Sequence, residues 1–173
     1  MPDARDHVPY PQIVADSKAR PDLAPDRLLG TFTFQENVGV NDVSDATANL
    51  PPGAQLLGRE WLGFDESGRA LIRFQAQSAF TNRHGTIQGG FLAAMLDSAT
   101  GICALAALTP DLTVVTTSLD TRFLKPAAVG PMTARARIIE RMDREMVVQA
   151  DLIDAEGVVV ADAIARLRVL TKK

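Results

Sequence analysis

The sequence predicts an α+β fold in which an antiparallel sheet wraps around one long central helix. Three observations lead there. A glycine-entered apolar stretch, Asn82 to Leu108, reads as the helix. Two strand-like runs precede it and four follow, joined by short polar turns. No internal repeat or low-complexity tract competes with that order.

The chain has 173 residues, 46% of them hydrophobic, which suffices for one domain with its own core. Only 5% are aromatic, so Val, Ile, Leu and Ala are expected to fill that core. The net charge of −3 is unevenly spread. Residues 1–50 hold eight acids and four bases, residues 51–173 thirteen acids and fourteen bases. Neither half is a basic nucleic-acid footprint, so no nucleic-acid partner is expected. The single cysteine, Cys103, excludes an internal disulfide, and no Cys/His cluster has the spacing of metal ligands. The opening MPDARDHVPYPQ lacks the basic-then-apolar pattern of a signal peptide, and a soluble cytoplasmic protein is expected.

Residues 1–51 read as an N-terminal extension, a partly ordered arm punctuated by Pro2, Pro9, Pro11, Pro21 and Pro25. A short amphipathic helix from Asp26 to Phe34 would anchor through Leu28, Leu29, Phe32 and Phe34. The arm is expected to lie on its own subunit or a neighbour, with a lid over the site as the sharper alternative. Pro51-Pro52-Gly53 marks the boundary, and residues 52–173 form the domain.

Within it, Gln55 to Phe64 and Arg69 to Ala76 are strand-like, joined by the hairpin turn Asp65-Glu66-Ser67-Gly68. The helix follows. Gly89-Gly90 open it, Phe91 to Leu108 runs on Ala, Leu, Met, Ile and Cys, and Pro110 ends it. Its length would suit a bilayer, but an Asp at its centre is costly in lipid and the later strands offer it a sheet. Next come Leu112 to Leu124, rich in Val and Thr, and Thr133 to Met142, which alternates Ala134, Ala136 and Ile138 against arginines. Val147 to Ile153, the turn Asp154-Ala155-Glu156-Gly157 and Val158 to Leu170 form a closing hairpin.

The candidate chemistry is concentrated on the helix. Asp97 is the only acidic or basic residue between Arg83 and Asp111, apart from His84, and a carboxylate in an apolar run must be paired, hydrogen-bonded or used. Its helical neighbours Gly90, Ala93, Ala94, Thr100, Gly101 and Ala104 are small. Leu92, Met95, Ala99, Ile102, Cys103 and Ala106 form the stripe expected to face the sheet. Gly89 and Gly90 lie where backbone N–H groups have no intrahelical partner, so they can stabilise negative charge developing on a carbonyl oxygen. A Gly-Gly pair alone also describes a tight turn. Eight residues of helix separate Gly89 from Asp97 by about 12 Å, too far to act on one carbon from the same chain. Two antiparallel copies would bring Gly89 of one near Asp97 of the other, which points to a symmetric dimer with composite sites.

The stretches Asn-x-x-Gly-Thr-Ile-Gln-Gly-Gly-Phe-Leu-Ala-Ala-Met-Leu-Asp, ending at Asp97, and Thr116 to Ala127 resemble the PaaI-like family of hotdog-fold acyl-CoA thioesterases. The resemblance spans roughly residues 52–170. It implies a hotdog thioesterase domain over residues 52–173 and an acyl-CoA substrate. It also implies no cofactor, and a homodimer that pairs into a dimer of dimers. It assigns Asp97 as general base or nucleophile and the Gly89 N–H as the donor to the thioester carbonyl. Asn82 matches an active-site Asn, and Thr116 matches a hydroxyl that helps place water; a turn residue and an ordinary strand residue are the alternatives. Gln88 stands where many members carry His, and it can hydrogen-bond but not transfer a proton at neutral pH. Gln88 and Gly90 are expected against substrate, with Arg122 and Lys125 as candidate contacts to CoA phosphates. Three alternatives remain: a 3-hydroxyacyl thioester dehydratase, which would need a His–acid pair that His7 and His84 do not supply; a non-catalytic acyl-CoA sensor; and an oligomeric scaffold.

Overall fold

The structure, a computed structural model, describes residues 50–172. But for its last two residues, the arm expected over 1–51 lies outside them, as does the helix expected from Asp26 to Phe34. In chain order the elements are α1 (Pro52–Leu56), β1 (Glu60–Phe64), β2 (Ala70–Ala76), α2 (Gly89–Leu105), β3 (Leu112–Phe123), β4 (Gly130–Arg141), β5 (Glu145–Ile153) and β6 (Val159–Thr171). The expected order of two strands, a long helix and four strands is present. All six strands join one antiparallel sheet in the order β1-β2-β4-β5-β6-β3. The chain thus crosses from one side of the sheet to its far edge through α2, which packs on β3, β4, β5 and β6. This is the hotdog architecture.

Small residues seat the helix. Ala70, Ala136, Ala150 and Ala163 stand opposite one another across four strands, each almost completely buried, and Thr121 completes the row on β3. Without large side chains along that line, the larger core groups can fill the space around it. Those are Phe74, Ile72, Met95, Leu96, Met132, Met146, Leu152 and Leu167. Methionine thus joins the expected aliphatics, its flexible thioether filling gaps left by the scarcity of aromatic rings.

Two boundaries differ from the sequence reading. The run from Gln55 is not extended at its start: residues 52–56 are helical. Pro52 at the first helical position has its φ already set and its missing N–H costs nothing there. Gly58, at φ +59°, closes α1 with the Gly58 N–H to Gln55 O and the Arg59 N–H to Ala54 O, both 3.0 Å, a Schellman pattern. At the other boundary, α2 ends at Leu105. Ala107 and Leu108 bond back three residues, to Ala104 and Leu105, tightening the last turn before Pro110.

The helix faces also need one correction. Leu92, Met95, Ala99, Ile102, Cys103 and Ala106 are buried as expected, but so are Thr100 and Ala104, assigned to the open side. The sheet curls further round α2 than a flat support would. Thr100 tolerates this because its hydroxyl donates to the Asp97 carbonyl at 2.9 Å.

Candidate active site

The loop before α2 is strapped in place by its own backbone. The Asn82 N–H bonds Thr86 O at 2.8 Å, the Ile87 N–H bonds Ala127 O at 2.8 Å, and the Gln88 N–H bonds Phe80 O at 2.9 Å. Phe80 stacks on Phe91 with ring centroids 4.1 Å apart, pinning the loop to the first turn of the helix. The Asn82 side chain serves this loop. Its Oδ1 accepts the His84 N–H at 2.8 Å, and its Nδ2 donates to Thr86 Oγ1 at 3.0 Å. Gly85, at φ +77°, makes the turn.

Gln88 is the N-cap of α2 and makes no side-chain capping bond, and its side chain is exposed. The Gly89 and Gly90 N–H groups have no acceptor among the described residues. They are the free donors that the first turn of any helix leaves. Gly89 is held closely on one side: a Cβ there would come within 3.0 Å of the Phe123 ring. At Gly90 a Cβ would meet nothing within 4 Å.

Asp97 is half-exposed rather than buried, because Gly90, Ala94 and Gly101 leave the helix surface around it uncovered. Its Oδ1 accepts a hydrogen bond from Thr116 Oγ1 at 2.8 Å. That contact depends on an irregularity in β3. Thr116 pairs with Leu167 and Ser118 with Arg166, so Thr117 is a bulged residue, its hydroxyl bonded to Arg166 O at 3.0 Å. A bulge shifts the alternation of a strand by one. Thr116 before it and Phe123 after it would lie on opposite faces of a regular strand. With it, both turn towards α2, Thr116 to Asp97 and Phe123 to Gly89. Nothing in the residue pattern announced this.

Two other expected residues lie apart. Arg122 pairs opposite Asp162 on the face of the sheet away from α2, and its guanidinium forms a two-pronged ion pair with that carboxylate. Arg122 is thereby held protonated even more firmly than usual, first by the Asp162 hydrogen bonds. Lys125 is exposed just past β3. The structure thus brings Asp97 and Thr116 together, sets Gly89 one helix segment away, and leaves Arg122 on the far face. Cys103 is no rival nucleophile: burial among apolar groups pushes its thiol up to about 12.

One residue beside the site escaped the sequence reading. Arg59 donates from Nη1 to Ser98 Oγ at 3.1 Å, next to Asp97. It falls within a stretch read as one strand, and only its tertiary contact distinguishes it.

Comparisons with known proteins agree with this fold. The model of the thioesterase superfamily matches residues 84–161, which contain α2 and the strands after it. A Saccharolobus solfataricus protein provisionally named an esterase is 31% identical over 108 residues, 62% of this chain and 76% of its own. A phenylacetic acid degradation-related protein from Ralstonia eutropha JMP134 is 34% identical, with a TM-score of 0.65 over 69% of this chain and 90% of that one. The PaaI protein of the E. coli phenylacetic acid degradation operon shares the fold at 21% identity, with a TM-score of 0.65 over 75% of this chain and 92% of its own. A Bacillus halodurans protein solved with CoA shares it at 23% identity, with a TM-score of 0.63 over 74% and 82%. The fold and these matches agree, and this chain belongs to the thioesterase superfamily as a PaaI-like hotdog protein.

Proposed function

We propose that the chain is an acyl-CoA thioesterase whose two active sites are each shared between two copies. The acyl carbon of a CoA thioester gains a bond to oxygen and loses its bond to sulfur, giving a carboxylic acid and CoA. Asp97 takes the proton from the attacking water, or itself attacks the acyl carbon and expels CoA as the thiolate, and water then cleaves the resulting anhydride to free the acid and restore the carboxylate. The proton lost by water ends on the departing sulfur or in solvent. The Gly89 N–H of the other copy steadies the negative charge on the carbonyl oxygen.

The observation that carries this reading is the Thr116–Asp97 hydrogen bond on the uncovered face of α2. It aims one carboxylate oxygen and leaves the other without a hydrogen-bond partner among the described residues. Composite sites are supported by the roughly 12 Å between Gly89 and Asp97 along one helix. The open edge of β3, exposing Val115, Phe123 and Leu124, supports pairing of copies, with a dimer of dimers as the larger assembly. In this scheme Asn82 holds the loop that delivers Gln88 and Gly89, and the exposed Gln88 amide hydrogen-bonds the thioester. Gly90 lets the substrate approach the backbone. Lys125 is better placed than the ion-paired Arg122 to meet a CoA phosphate. The superfamily match and the CoA-bound relative support a CoA thioester as substrate.

The test is release of free thiol from a panel of aryl-acetyl, short-chain and medium-chain CoA thioesters. Hydrolysis of at least one is expected. Binding of CoA thioesters by calorimetry with no thiol release from the whole panel would instead make the protein an acyl-CoA sensor.

A further inference from the structure

The strand order carries β1 to the edge of the sheet, and α1 runs just ahead of it. What α1 delivers is Arg59. Its backbone is fixed by the Schellman closure of α1, and Gly58 before it lies so close to β2 that a Cβ would come within 2.8 Å of Gln75 Cβ. Two further bonds tie the segment to β2 and the residue after it. The Gln75 N–H reaches Leu57 O at 2.9 Å, and Gln77 Nε2 reaches Leu56 O at 2.8 Å. A whole short helix and its glycine exit thus hold one arginine against the middle of α2.

Its charge has no counterpart among the described residues. Ion pairs among the described residues engage Arg69, Arg73, Arg122 and Arg168, not Arg59. The Arg59 side chain makes one hydrogen bond, to neutral Ser98, and its other donors have no acceptor among the described residues. It is half-buried, and that burial lowers its pKa below the ordinary arginine value with no carboxylate offsetting the loss. A partly desolvated cation without an anion is an unfavourable arrangement that an incoming anion relieves.

On the reading of the protein as a thioesterase, we infer that Arg59 is a specificity residue that binds a carboxylate at the far end of a short acyl group. The choice between the two ends of the substrate follows from position. Ser98 follows Asp97 on α2, so its partner Arg59 stands within one helical turn of the carboxylate that the thioesterase reading sets beside the acyl group. The phosphates of CoA are separated from that carbon by the full length of the pantetheine arm. The end of a short acyl chain is within reach. Arg59 presents a planar fork that matches a carboxylate's two oxygens, whereas a neutral methyl terminus would leave the guanidinium unpaired.

The experiment compares glutaryl-CoA with pentanoyl-CoA, and glutarate with pentanoate, on the full-length protein. Wild type should favour glutaryl-CoA in kcat/KM by about tenfold to a hundredfold, the range of a charge-assisted hydrogen bond. In Arg59→Met the glutaryl-to-pentanoyl ratio should collapse towards one, and Arg59→Lys, keeping the charge, should retain part of it. No preference in the wild type, or an equal loss on both thioesters in Arg59→Met, would overturn the inference while leaving thioesterase activity intact. If neither thioester is hydrolysed, thermal shifts with the free acids decide. Stabilisation by glutarate over pentanoate that disappears in Arg59→Met upholds the anion site, whereas equal shifts remove it; the thioesterase reading falls only if the rest of the CoA-thioester panel is inert as well.

Discussion

The two faces of α2 are built on opposite principles. The covered face, with Met95, Leu96, Ala99 and Thr100, is packed against the curved sheet and is almost free of exposed surface. The open face, with Gly90, Ala94, Asp97 and Gly101, leaves room beside the backbone and holds its one carboxylate by a single side-chain hydrogen bond. Stability resides on the first, and the proposed chemistry on the second. The difference teaches that a central helix can carry a charged group through an apolar fold when the sheet surrounds it incompletely. Asp97 stays partly exposed, yet it remains fixed by Thr116.

Replacements on the two faces should therefore separate stability from activity. On the covered side, Leu96→Ala should cost about 3 kcal/mol of stability, by removing side-chain volume from a site that cannot collapse around it. Denaturant melts would show this, and a loss below about 1 kcal/mol would mean that the covered face is loosely packed. On the open side, Asp97→Asn should cut turnover at least about 10²-fold, about 2.7 kcal/mol of barrier, with little change in the melt. Near-normal turnover in the folded variant would make Asp97 structural.

The same variant sharpens the contrast between copies. Mixed with Gly89→Leu, whose side chain would crowd Phe123 and block the carbonyl's approach, it should regain about half of wild-type activity per mixed dimer. In such a dimer one site carries both lesions and the other none. Verified mixed dimers that stay inactive would place both groups within one chain's site, or remove Gly89 from the mechanism.

Smaller effects test the β3 contacts. Thr116→Val deletes the hydroxyl that aims Asp97 and should lower kcat/KM about tenfold, about 1.4 kcal/mol. An unchanged rate would make the Thr116 bond incidental. Five residues along, Thr121 keeps a buried hydroxyl with no hydrogen-bond partner. Thr121→Val should therefore stabilise the fold by about 1 kcal/mol, and a destabilised variant would show that the hydroxyl is satisfied in solution.

Local chemistry made much of the fold legible. Asp65 and Asp154 each accept backbone N–H groups two and four residues ahead, so both hairpin turns are readable from four residues. The glycine entry, apolar run and proline exit mark α2 in the same way, and a solitary Asp in such a run marks the candidate group. These features depend on neighbours in the chain, and periodicity and turn propensity record them.

Only tertiary structure decided the rest. The strand order with β3 at the edge, the burial of Thr100 and the bulge at Thr117 all depend on residues distant in sequence. The Thr116–Asp97 bond joins residues 19 apart, and Arg59 meets Ser98 across 39. The sequence by itself determined which elements form and which residue carries the charge. Which face of α2 stays open, and what stands beside Asp97, was decided when the sheet curled around the helix, because long-range pairing leaves no periodic mark on the chain.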